Sequence, residues 1–207
     1  MNKKIIIIGG GGHAKSINDI IHRNNLAKKI VGYVDKKKTN LNLNYLGNDS
    51  FLQNIKKTSN YVLVNGIGIN SELREKLFDN LKKKFNFLTL IDNTAIISPF
   101  AKIKQGAVIF PLSYVGPSTL IDFNVVIHTK VSIEHDVKIE KNSYVGPGTT
   151  ICGNCHIKNN TLIGGNSFIK QNIIIGKKNI VGAGSIVLKN FTKQNKKIYG
   201  NPAKERK

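Results

Sequence analysis

The 207-residue chain contains two cysteines, one methionine, five prolines, no tryptophan and only 12 acidic residues. Two thiols in a chain of this length do not make a disulfide framework, and a chain this long buries enough core not to need one. No apolar run approaches the ~20 residues of a membrane span. The opening Met1-Asn2-Lys3-Lys4 leads into only the isoleucines Ile5 to Ile8 before a glycine run. That is too short for a signal-peptide core, and no small-residue cleavage site follows. The expectation is a soluble cytoplasmic protein with no membrane insertion.

The shortage of acids leaves a formal net charge of +20. Such a charge ordinarily points to nucleic acid. The bases, however, are 29 Lys and only 3 Arg (Arg23, Arg74, Arg206), whereas nucleic-acid sites favour Arg for bidentate contacts. The lysines are also spread along the chain. Ile (30) and Asn (26) are equally inflated, a composition that fits an A/T-biased genome. No nucleic-acid partner is expected, though the positive field suits anionic small molecules.

Residues 1–90 alternate strand and helix. Ile5–Ile8 is a continuous apolar run of the kind found in buried parallel strands. After Gly9–Gly12, residues 13–24 place Ile17, Ile20 and Ile21 on one helical face. Further strands are expected at 30–35, 61–64 and 85–91. Helices are expected at 51–57 and at 71–84, the latter with Leu73, Leu77, Phe78 and Leu81 inward. The alternation implies a small Rossmann-like parallel α/β sheet.

From Ile91 the period changes to six. Every sixth residue from Ile91 to Val187 is Ile or Val, 17 in succession. Four residues after each stands mostly a small or β-branched residue, among them Ala107, Thr119, Val137, Thr149 and Cys155. Neither a helix nor a strand generates sixes, whereas a hexapeptide solenoid does. Each coil buries its aliphatic face only against its neighbours. The expected division is 1–90 and 91–207.

Three stretches together, IIIIGGGGHAKS, VSIEHD and YGNPAK, resemble the NeuD-like and PglD-like sugar acetyltransferases of the hexapeptide acyltransferase superfamily. The resemblance covers nearly the whole chain. It implies a left-handed parallel β-helix with three hexapeptides per turn, so about five coils. It also implies a homotrimer with sites between adjacent solenoids, and transfer from acetyl-CoA to a nucleotide-activated amino sugar or sialic acid.

His135 is the candidate base. It lies two positions after the inward Ile133, so its ring is expected at a turn, pointing outward. An imidazole with a pKa of ~6.5 accepts a proton at neutral pH with little tuning. Asp136 beside it would fix the tautomer, the role of the His–acid pair in the related enzymes. Gly153, one 18-residue coil on, leaves an N–H beside the base for a thioester-derived oxyanion; its other reading is a left-handed turn residue. The chemistry needs no metal. Pro147, Gly165 and Ala183 form a corner stack of small residues that would suit the pantetheine arm along a neighbouring subunit. Lysines 177, 178, 193, 196 and 197 would meet the CoA phosphates. Corner packing and a solvated surface are the plain alternatives. Tyr144 stands where some relatives place a cofactor-contacting histidine.

Gly9-x-Gly11-x-x-Ala14, between a strand and a helix with Asp35 some 20 residues on, fits a dinucleotide fingerprint. A half-domain of ~90 residues is too small for the full dinucleotide fold. The resemblance assigns this loop instead to the nucleotide-sugar. Gly11, Gly12 and His13 would present N–H groups to an anion, Lys15 adds charge, Asp35 faces the nucleoside, and Gly68 lies on the next strand-end loop. Cys152-Gly-Asn-Cys155-His156 matches a haem-attachment string, but Cys155 falls in the inward small-residue register. The sequence departs from the family at His128, where relatives often have Asn, and at Asp92-Asn93, where His-Pro is frequent. The leading expectation is an N-acetyltransferase acting on a nucleotide-linked amino sugar. The alternatives are O-acetylation of sialic acid or a related sugar, and a non-catalytic nucleotide-sugar-binding trimer.

Overall fold

The computed structural model describes residues 3–206; Met1 and Asn2 of the N-terminal reading, and Lys207, lie outside it. The chain divides into two compact units that meet in sequence at Leu90 and Ile91.

The first unit is a five-stranded parallel sheet. Its strands are β1 (Lys4–Ile8), β2 (Ile30–Val34), β3 (Tyr45–Gly47), β4 (Tyr61–Asn65) and β5 (Asn86–Phe87), in the order β3-β2-β1-β4-β5. Helices α1 (Gly12–Arg23), α2 (Asp49–Asn54) and α3 (Ser71–Leu81) connect them. Central β1 is buried from Ile5 to Ile8, which is why its sequence runs apolar without alternating. Strand order reverses between β1 and β4, so the loops after these two strands flank the crevice where open α/β sheets bind ligands.

Three expectations for this unit are corrected. β3 went unseen because it is only three residues long, Tyr45–Gly47, and half-buried throughout, too short to show a period. The 85–91 strand is two short pieces, Asn86–Phe87 and Leu90–Ile91. On α3 the fully buried residues are Phe78 and Arg74, while Leu73, Leu77 and Leu81 are half-buried. A buried guanidinium in an apolar register is invisible to periodicity.

The second unit is a three-sided solenoid of two-residue strands. A first sheet stacks Ile96–Ile97, Tyr114–Val115, Ser132–Ile133, Thr150–Ile151, Phe168–Ile169 and Ile186–Val187. A second runs from Lys102–Ile103 to Ile174–Ile175, and a third continues through Ile180–Val181 into the hairpin Lys197–Gly200 and Ala203–Arg206. Partners are 18 residues apart, as in Ile133↔Ile151. The six strands of the first sheet make the solenoid slightly longer than five coils. The inward residues from Ile109 to Val187 are completely buried, each contributing roughly 1.5–3 kcal/mol relative to exposure.

The corners have their own period. Residues 106, 112, 118, 124 and every sixth onward to 184 have positive φ, and Asn fills 124, 142, 154, 160, 166 and 172. Asn tolerates this left-handed conformation better than most residues. Part of the asparagine excess is therefore structural and not genomic. Its side chains also form ladders between coils, as in Asn154 Nδ2 to Asn172 Oδ1 at 2.8 Å.

Candidate active site

His135 and Asp136 sit on the corner between the first and second sheets, with their side chains more than half exposed at 62% and 57%. Asp136 occupies the left-handed position (φ 58°), and its Oδ2 lies 2.8 Å from His135 Nδ1. A carboxylate only accepts, so Nδ1 carries the proton and Nε2 presents its lone pair. The Cε1 corner of the ring, with Nε2 beside it, lies against the coil above. A Cβ built on Gly153 would stand 2.5 Å from Cε1 and 2.6 Å from Nε2 of His135. Any side chain at 153 would therefore displace the ring.

Gly153 does not have positive φ; the left-handed residue of its turn is Asn154. The turn reading of Gly153 is thus replaced by one of close approach. At this point in the repeat the solenoid does not use the N–H, since prolines 99, 111, 117 and 147 occupy it on other turns. The Gly153 N–H accordingly has no backbone acceptor among the described residues.

Glu134 turns toward the first sheet, where its Oε1 accepts from Ser132 Oγ at 3.0 Å. Burial, together with the Glu134 charge, pushes the Cys152 thiol up. Cys155 is buried in the small-residue register, its thiol also pushed up by burial. His156 of the haem-like string is committed elsewhere, with Nε2 2.6 Å from Glu140 Oε1. Burial alone would raise the Glu140 carboxyl, but His156, the Asn159 N–H and Lys138 together hold it below its ordinary value.

The remaining cofactor candidates lie on another corner, between the third and first sheets. A Cβ on Gly165 would come 3.0 Å from the Pro147 carbonyl oxygen, and one on Gly164 2.4 Å from Ala183 N. Coil-on-coil packing explains why these residues are small. Tyr144 is half-buried near His128, with ring centroids 5.9 Å apart. His128 stacks on Phe110 at 4.3 Å, and its Nδ1 accepts the Thr129 N–H at 3.0 Å. The proton is therefore on Nε2, and burial lowers the His128 pKa. Above His135 on its own corner, a shallow pocket of about 450 Å³ is lined by Lys189, Lys193, Lys196 and Lys204 with Asn190 and Glu205. Lys196 pairs with Glu205. Lys177 and Lys178 belong to the third corner, and Lys197 to the C-terminal hairpin.

In the α/β unit, Gly11 and Gly12 are exposed, and a Cβ on either would meet open space. Gly11 caps α1 without a side chain, leaving the first helical N–H groups for an anion. His13 is half-buried, and a Cβ on Gly68 would lie 3.2 Å from its Cβ. Lys15 is exposed. Asp35 spends its carboxylate on the loop itself, where Oδ2 accepts the Gly10 N–H at 2.7 Å and Oδ1 the Lys36 N–H at 2.6 Å. Thr39 Oγ1 donates to the Gly10 carbonyl at 2.9 Å. Sequence reasoning missed Thr39, and also Arg74, whose guanidinium donates to the Gly68 carbonyl. No helix among the described residues is long and apolar enough to cross a membrane.

Family models match along the chain: the PglD N-terminal domain at residues 4–81, the bacterial transferase hexapeptide (six repeats) at 118–153, and the hexapeptide repeat of succinyl-transferase at 157–189. No curated protein matches by sequence. Among solved structures, the acetyltransferase domain of PglB from Neisseria gonorrhoeae FA1090, in complex with acetyl coenzyme A, is 23% identical with TM-score 0.93 and full coverage of both chains. PerB from Caulobacter crescentus, in complex with CoA and GDP-perosamine, is 23% identical with TM-score 0.93, covering 100% of this chain and 99% of its own. WeeI from Acinetobacter baumannii AYE is 24% identical with TM-score 0.87, covering 99% and 100%. These likenesses establish the fold as a Rossmann-like α/β unit followed by a left-handed parallel β-helix. The chain thus joins a PglD N-terminal domain to the hexapeptide repeats of the bacterial transferases.

Proposed function

We propose that the protein is an acetyltransferase that moves the acetyl group of acetyl-CoA to the amine of a nucleotide-linked sugar, with His135 as general base. One observation carries this reading. The His135 ring has a carboxylate on Nδ1 and a side-chain-free glycine against its Nε2 edge. Nε2 takes a proton from the acceptor nitrogen as that nitrogen attacks the thioester carbonyl. The C–N bond forms, and the carbonyl electrons move to oxygen beside the Gly153 N–H. The oxyanion then collapses, the C–S bond breaks, and the thiolate leaves with the proton held on His135. Each solved relative reported as a complex holds CoA or acetyl-CoA.

The lysine pocket begins at Lys189, three coils above His135 on the same corner, about 14 Å away at the inter-strand spacing. That is a span suited to a pantetheine arm with its phosphates among Lys189, Lys193 and Lys204. Gly165 and Ala183 lie across the first sheet from His135. A trimer with sites between solenoids would bring Gly165 and Ala183 of one copy to His135 of its neighbour. The α/β unit takes the nucleotide-sugar at Gly11, Gly12, His13 and Lys15.

The test is an acceptor panel with acetyl-CoA, read by free thiol release and product mass. Nucleotide-linked amino sugars are expected to be acetylated and sialic acid not. Transfer to hydroxyl acceptors alone would replace the reading with O-acetylation, and no transfer to any acceptor would leave a binding protein.

A further inference from the structure

The turn that carries His135 is seated on the coil beneath it. Thr119, buried at 1% exposure, donates its Oγ hydrogen to the Glu134 carbonyl at 2.8 Å and accepts the Val137 N–H at 3.3 Å. One hydroxyl therefore bridges both ends of the 134–137 turn. Gly116 lies under the first peptide of that turn. A Cβ there would stand 2.8 Å from Glu134 C and 3.0 Å from both Glu134 O and His135 N. Gly116 does not have positive φ, so the requirement is space alone. The Pro117 carbonyl accepts the Asp136 N–H at 3.0 Å.

The same hydroxyl-to-carbonyl bond recurs elsewhere, for instance from Thr161 to Gly176 O at 2.9 Å on the third corner. The bond is a device of the repeat, and what distinguishes Thr119 is what it holds. We propose that Thr119 and Gly116 are positioning residues, which set the height and pitch of the 134–137 turn so that Asp136 meets His135 Nδ1 while Nε2 lies against Gly153. The inference rests on the reading of His135 as the base. Its structural half, control of the His135–Asp136 pair, can be measured without substrate.

Nitrogen-15 chemical shifts of the imidazole rings in the full chain report which nitrogen carries the proton. The wild type is expected to show Nδ1–H for His135. Thr119→Val and Gly116→Ala are expected to move His135 toward the Nε2–H tautomer. They should also lower kcat about tenfold or more, the scale of a misplaced catalytic group, with KM for both substrates unchanged. Thr161→Val removes the matched bond and is expected to lower Tm as Thr119→Val does, leaving tautomer and kcat alone. Should Gly116→Ala not fold, Thr119→Val decides. A His135 tautomer and rate in Thr119→Val equal to those in Thr161→Val would overturn the proposal. A tautomer that responds as stated in a protein with no transfer activity would uphold the positioning and reject the use assigned to the ring.

Discussion

Two corners of one coil carry a histidine, and the two imidazoles have opposite surroundings. His128 is stacked on Phe110, takes the Thr129 N–H on Nδ1 and has its pKa lowered by burial. His135 stands largely exposed, gives its Nδ1 hydrogen to Asp136 and rests its other edge on Gly153. Both come from the same six-residue plan, His128 one place after an inward isoleucine and His135 two. That single step along the turn moves an imidazole from the packed flank of the strand to the projecting corner. The repeat thus supplies rigid positions, and the place of a residue within it decides whether its side chain is packed or exposed.

The largest expected effect separates the two rings directly. His135→Gln is expected to reduce acetyl transfer by about 10²–10⁴-fold, the range for loss of a general base. His128→Gln should change it far less, with thiol release as the readout for both. Equal losses would remove the distinction.

The corners can be set against each other next through their glycines. At Gly153 the obstructing atoms belong to an exposed ring that can swing aside. Gly153→Ala is therefore expected to lower kcat about tenfold to a hundredfold with little change in Tm. At Gly164 the obstructing atoms are the backbone of Gly182 and Ala183, which cannot swing. Gly164→Ala is expected to cost about 1–3 kcal/mol of stability, the range for overpacking, measurable by denaturant unfolding.

A smaller effect lies in pH. The folded-state pKa of His128 is below its ordinary 6.5, so the folded protein binds fewer protons there than the unfolded chain. The resulting stability is complete above pH 6.5 and is lost as pH falls toward the folded value. Urea midpoints measured from pH 7.5 to 5.5 should decline, and His128→Gln should flatten that decline. The smallest effect is at Glu140, whose pKa is also lowered. Its contribution is complete above its ordinary 4.5 and fades as pH falls toward the folded value, so the cost of Glu140→Gln in urea midpoints should be largest above pH 5 and shrink in stronger acid.

Much of this fold is legible in the chain because solenoid burial is periodic. Ile133, Ile151 and Ile169 announce their stacking by spacing alone, and from Ile133 the outward projection of His135 follows by counting. The pairing of His135 with Gly153 was legible for the same reason, through the 18-residue lap. What stayed hidden depends on hydrogen bonds or on space, neither of which has a period of its own. Thr119 and Thr161 are the same letter in the same register, and only the turn above each tells them apart. Asp35 reads as a nucleoside ligand by its place after β2, yet its oxygens already hold the Gly10 and Lys36 amides. The left-handed column of asparagines was present as a pattern, but it was masked by an overall asparagine excess that an A/T-biased genome also fits.

The central claim is that an acetyl thioester reacts at the corner where His135 meets Gly153. A crystal structure of the protein with CoA tests it most directly. The thiol sulfur is expected beside the Nε2 edge of His135 and the Gly153 N–H, with the phosphates toward Lys189, Lys193 and Lys204. A CoA whose sulfur ends at the Gly165 corner, with no copy of His135 within reach, would contradict it.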